Sequence, residues 1–183
     1  AARCRYEAEK NLLQDIVWTE ELLSLADKYK SRDVLDGEKK SFDARRASYQ
    51  SQVDVLASQE SQLDEQIIGL REEMNAEKTI IATLTEELAA KRTLVSKKFL
   101  EKSQVLELER QLATHRGAHG KARQSIAAAE QQKNGLKLQR EGLSIGVMEQ
   151  AAAEINVLDS KILQTREELR PLRDAKQRLQ VTA

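Results

Sequence analysis

The side chains best suited to chemistry in this sequence are two histidines, His115 and His119, four residues apart. On a helix that spacing puts both imidazoles on one face, where they hold a divalent metal ion if a third ligand comes near. Glu77 is the candidate third ligand, but Arg116, Gly117, Ala118 and Gly120 around the pair supply no further donor. Polar residues at seam positions more commonly fix the register of paired helices, so no metal is expected. Four other polar residues stand where apolar ones recur: Glu60, Lys91, Lys133 and Arg140. They would be catalytic only if they converged in a cavity that excludes water, and a seam between two helices has none. Setting register, or snorkelling their charged ends into water, is the expected role. There is no Gly-rich phosphate loop, nucleophile motif or cysteine cluster, so no enzyme activity, catalytic residue, cofactor or small-molecule substrate is expected. Cys4 is the single cysteine, which excludes an intrachain disulfide. Trp18, the sole tryptophan, either anchors a partner surface or, as is more common for such a residue, packs where helices change direction.

The elements that carry these residues follow from composition. Of the 183 residues, 33% are charged and only 3% aromatic, with a single proline, so the bulky side chains of a globular core are missing. Long helices that bury a narrow seam fit this vocabulary. Acidic and basic residues cancel and are interspersed, which argues against nucleic-acid binding. Apolar runs such as Ala127 to Ala129 or Ala151 to Ala153 fall far short of the roughly 20 residues a membrane span needs. The opening residues Ala1 to Glu7 lack the apolar stretch of a secretory signal, and both ends read as cuts within a longer protein.

Heptads give the arrangement. Phe42, Tyr49, Leu56, Leu63, Leu70 and, after Glu77, Leu84 recur in steps of seven, and Val53, Ile67, Met74, Ile81, Leu88 and Val95 follow at the complementary position. A second stripe runs through Val105, Leu108, Leu112, Ala122, Ile126, Ala129, Leu136, Leu143, Val147 and Ala151. It slips by one residue and continues as Ile155, Leu158, Ile162, Leu169 and Leu172, which resembles a stutter. Folding one stripe back on the other about Lys98 puts Leu84 opposite Leu112, Leu70 opposite Ile126, Tyr49 opposite Val147 and Glu77 opposite His119. The expected fold class is therefore all-α: a long antiparallel coiled-coil hairpin over residues 38–179. Its tip lies near 96–100, and each arm is on the order of 80 Å long.

Residues 3–27 read as an additional helix, with Thr19 as an internal cap or break, and residues 28–37 as a linker marked by Asp33, Asp36 and Gly37. Residues 1–37 are expected to pack at the base of the hairpin, over Ile155 to Leu179, with residues 1 and 180 close together. Pro171 should kink or restart the last helix. Residues 180–183 read as a strand entrance leading into a truncated β domain.

The turn is the most informative segment. Arg92, Leu94, Ser96, Lys97, Lys98, Phe99, Leu100, Glu101 and Ser103 place apolar Phe99 and Leu100 where little protein exists to bury them. They either form an exposed docking tip rimmed by lysines or fold inward to cap the seam.

Three segments carry a family resemblance. Phe42-Asp43-Ala44-Arg45-Arg46, running on to Leu56, resembles the Phe-x-x-Arg-Arg stretch that opens the long helix of haemolysin-type and protease-type secretion adaptors. Phe99 to Arg110 is similar to their segment after the tip, and Leu169 to Ala183 resembles their run into the second half of a lipoyl domain. These adaptors are the HlyD/PrtE-type membrane-fusion (periplasmic adaptor) proteins of type I secretion systems, and the match is to their α-helical hairpin. The resemblance implies a periplasmic location, with an inner-membrane anchor supplied by a segment outside these residues. It also implies a bridge from an ABC exporter to a TolC-like outer-membrane channel, and assembly as a hexamer with the hairpin tips meeting the channel. The family's tip pattern is Arg, then Leu four residues on, then Ser or Thr seven further. Here Leu94 can serve as the Leu, but Ala90 and Glu101 occupy the flanking positions, with Arg92 and Ser103 nearby, and Lys98 replaces the usual turn glycine. The alternative reading of the same composition is a coiled-coil scaffold or spacer without transport function.

Overall fold

The computed structural model describes the backbone of residues 1–181 and the side chains of residues 1–173 and 175. Four helices follow one another: α1 (Ala2–Lys10), α2 (Glu20–Lys28), α3 (Arg32–Ser96) and α4 (Lys102–Val181). They divide into two compact units, Val55–Gln139 and the outer segments Ala1–Asp54 with Arg140–Ala183.

In the unit Val55–Gln139, α3 and α4 run antiparallel. Arg92 meets Glu109, Arg71 meets Glu130 and Asp64 meets Lys133, so position rises along α4 as it falls along α3. Leu88, Val105, Leu108 and Leu112 form one buried cluster with Ile81, Leu84 and Val95 against it. A second joins Ile67, Ile126 and Ala129 to Leu63, Leu70 and Met74. Every member belongs to the two heptad stripes, because only a 3.5-residue repeat keeps one face of each helix on its partner. Leu84 shares a cluster with Leu112, and Leu70 with Ile126, as the fold-back about Lys98 requires. The polar partner differs: Glu77 Oε2 lies 2.8 Å from His115 Nδ1, one turn from the expected His119. Glu77 thus reaches along the seam between the clusters. Lys133 donates to Asp64 at 2.5 and 2.6 Å, so this seam lysine carries its charge to a carboxylate on the rim.

In the outer unit, α1 lies parallel to α3 and antiparallel to α4. Arg5 reaches Glu38 and Arg45 reaches Glu9, while Arg3 reaches Asp159 on α4. Phe42, 2% exposed, packs with Ala8 and Ile16, and Cys4 and Trp18 close over them. Tyr49 and Val147 line one depression, in the register expected. Arg5 is the buried charge that joins α1 to α3. Its guanidinium donates to Glu38 at 2.6 Å and Glu9 at 2.7 Å, and stacks 4.0 Å from the Tyr6 ring centroid. Burial alone would lower the Arg5 pKa, but its hydrogen bonds to Glu38, Tyr6 and Glu9 outweigh that and raise it, so the cation persists.

The segment before α3 departs from expectation in several ways. Residues 3–27 are two helices, not one, because α1 ends at Lys10 and Leu12 turns left-handed with φ 49°. The loop that follows is fastened to α3: Asp15 accepts from Lys39 at 2.8 Å, and Arg46 donates to the Gln14 carbonyl. Thr19 is the N-cap of α2, its hydroxyl accepting from the Leu22 N–H. The linker is shorter than residues 28–37, since α3 begins at Arg32 and carries Asp36 and Gly37 within it.

On α4, α1 reaches Ile155 and Asp159, and Ile162, Leu169 and Leu172 stay exposed. The expectation that the N-terminal helix covers this whole stripe is corrected. With Arg3 at Asp159, the 21 residues from there to Gln180 would carry a helix about 30 Å, so residues 1 and 180 are not brought together. No restart occurs at Pro171, which lies within α4. Helix also occupies positions 179–181, where a strand entrance was expected, and Thr182 and Ala183 lie outside the described residues. Among the described residues, no helix is long and apolar enough to cross a membrane.

Candidate functional site

The turn between α3 and α4 is built by hydrogen bonds that end one helix and aim its last residues outward. The Phe99 N–H bonds the Leu94 carbonyl at 3.0 Å and the Lys98 N–H bonds the Val95 carbonyl at 3.0 Å. Those two bonds define a Schellman motif, whose left-handed position is occupied by Lys98 with φ 57°. Glycine usually stands there because a Cβ is disfavoured. Ser96 Oγ donates to the Thr93 carbonyl at 2.7 Å, which satisfies another acceptor of the last turn. On the far side, the Gln104 N–H bonds the Glu101 carbonyl at 3.3 Å as α4 starts.

The two residues of the apolar pair take different orientations. Phe99 is 77% exposed and does not fold inward, whereas Leu100 is half-buried. Leu94, one turn back on α3, is 42% exposed. Val95 faces the seam instead and packs on the Leu88 cluster.

The expected tip residues all lie within or beside this turn, but they differ in state. Arg92 donates to Glu109 at 2.6 Å, and its neighbour Lys91 pairs with Glu87 at 2.8 Å. Ser103 Oγ donates to the Glu101 carboxylate at 3.3 Å. Lys97, Lys98 and Lys102 are exposed, with no ion pair among the described residues. Lys102 is the one cation of this group left out of the tip residues expected from sequence. Its signal was its place three residues after Phe99, across the turn from Lys97 and Lys98.

His115 bonds Glu77 in the seam and His119 is half-buried one turn on. Among the described residues, no group of three or more His, Cys, Asp or Glu side chains could hold a metal ion. Trp18 packs against the Ala8, Ile16 and Phe42 cluster.

Comparison with known proteins agrees with this architecture. A family model described as the AprE long alpha-helical hairpin matches residues 1–175. A type I secretion system membrane fusion protein, PrsE of Rhizobium meliloti (strain 1021), is 25% identical over all 183 residues, and the chain spans 42% of its length. The crystal structure of the soluble domain of LipC, a membrane fusion protein of a type I secretion system, superposes with a TM-score of 0.85 at 17% identity. That match covers 92% of this chain and 79% of the other. With the antiparallel pair, the N-terminal helices and the family match all in agreement, the chain belongs to the AprE long α-helical hairpin family.

Proposed function

We propose that the protein is the hairpin of a periplasmic adaptor in a type I protein secretion system. It links an ABC exporter of the inner membrane to a TolC-like outer-membrane channel. In this reading the α3–α4 turn docks on the channel, neighbouring hairpins pack side by side in a hexamer, and a segment outside the 183 residues anchors the protein to the inner membrane. The work is geometric: α3 and α4, packed on one another in the unit Val55–Gln139, hold the turn in place, and no bond is made or broken. The observation that carries the reading is Phe99, a large apolar side chain left 77% exposed at the closed end of the hairpin. Exposed aromatic residues at a protruding end mark contact surfaces.

The test is secretion by the full-length protein carrying Phe99→Asp and Leu100→Asp. Export should stop while helical content, read by circular dichroism, stays unchanged, because Phe99 contributes little to the seam. Export at the normal level would overturn docking through the turn.

A further inference from the structure

The turn carries more positive charge than the hairpin uses for its own fold. Lys91 and Arg92 are neutralised by Glu87 and Glu109. Lys97, Lys98 and Lys102 are left without an ion pair among the described residues. Glu101 is the single acid from Lys91 to Lys102, and it accepts from Ser103. Phe99 stands among these lysines as the most exposed large apolar side chain of the described residues. Lys98 also occupies the left-handed position where glycine would be less strained, so the backbone gives no reason for a lysine there.

We infer that the turn recognises a carboxylate-rimmed apolar pocket on a protein partner, with Phe99 entering the pocket and Lys97, Lys98 and Lys102 pairing with Asp or Glu side chains around it. This rests on the docking reading above and names the chemistry of the surface docked upon. An anionic lipid surface would also attract the lysines, but membrane insertion calls for a broad apolar face. The turn offers one ring beside Leu94 and a half-buried Leu100, with Glu101 among the cations. An aromatic anchor ringed by polar groups is instead the form of a protein–protein hot spot.

The test uses the full-length protein in membranes of secreting cells, with p-benzoylphenylalanine in place of Phe99. Light should couple it to the outer-membrane channel. A water-soluble carbodiimide, which joins amines directly to carboxylates, should link Lys97, Lys98 or Lys102 to Asp or Glu of that channel. The variant K97E/K98E/K102E should lose photolabelling roughly tenfold, the loss expected for three exposed ion pairs. K97R/K98R/K102R should keep photolabelling and lose carbodiimide coupling. Channel labelling that persists after charge reversal, with no carbodiimide product, overturns the acidic pocket and leaves docking intact. Label recovered on phospholipid overturns it in favour of a membrane contact. Absence of any channel label from the unreversed protein overturns docking itself.

Discussion

Replacing Lys98 with glycine should stabilise the hairpin. Lys98 holds φ 57° as the left-handed residue of the Schellman motif, a conformation that costs a residue with a Cβ about 1–2 kcal/mol. Glycine removes that strain but gains unfolded-state entropy, which takes back about 0.4–1 kcal/mol. The lysine side chain is exposed and makes no ion pair among the described residues, so its loss removes no contact there that would reverse the balance. A net gain of about 0.5–1 kcal/mol remains, a rise in Tm of about 1–4 °C for a chain of this size. Thermal unfolding followed by far-UV circular dichroism measures it. Lys98→Ala, which keeps the Cβ, should show no gain, and Lys98→Val should lower Tm. A glycine variant less stable than the parent, or an alanine variant equal to the glycine one, would refute the strain argument. Because K98G also removes one rim charge, it should weaken docking while it strengthens the fold.

Other substitutions test the packing. Arg5→Ala should cost about 1–3 kcal/mol, because Glu9 loses its 2.7 Å partner and keeps only Arg45 at 3.4 Å, while Glu38 loses its 2.6 Å partner; chemical denaturation would show it as a lowered midpoint. Leu88→Ala, in the cluster beneath the turn, should cost about 2–4 kcal/mol in the same measurement. The double variant Glu77→Leu with His115→Leu should match the parent in stability or exceed it by about 1 kcal/mol, since a half-buried polar pair gives way to apolar packing. His115→Leu alone should fall below the double variant, because Glu77 keeps its charge and loses its partner.

The seam was legible in the sequence because a heptad repeat has one geometric solution: Leu63, Ile67, Leu70, Ile81, Leu84 and Leu88 can be buried together only against a helix of matching period. The turn was legible from the restart of the pattern after Phe99-Leu100. The polar register was less so, because a glutamate side chain spans a full turn, and Glu77 reaches His115 where backbone position alone pointed to His119. The end of α1 left only a weak sequence signal, Lys10 in the last turn and Asn11 at the cap, because Leu12 fills the left-handed position that usually announces itself as glycine. Nothing in the pattern of Ile162, Leu169 and Leu172 distinguishes an exposed stripe from a covered one; that depends on how far α1 reaches, and it reaches Asp159. At the candidate site, sequence placed the residues and left the direction of Phe99 open, and the Schellman geometry turned it outward.

In an intramolecular hairpin, α3 and α4 of one chain lie side by side in opposite directions. Its most direct measurement is cross-linking of Asp64→Cys with Lys133→Cys by a short bis-maleimide, after Cys4→Ser removes the native thiol. These positions are 69 residues apart in sequence and joined by a hydrogen bond across the seam. The account predicts an intrachain product that migrates as a monomer in denaturing gel electrophoresis at every dilution. Cross-linked dimers that vanish on dilution, with no intrachain product, would contradict it.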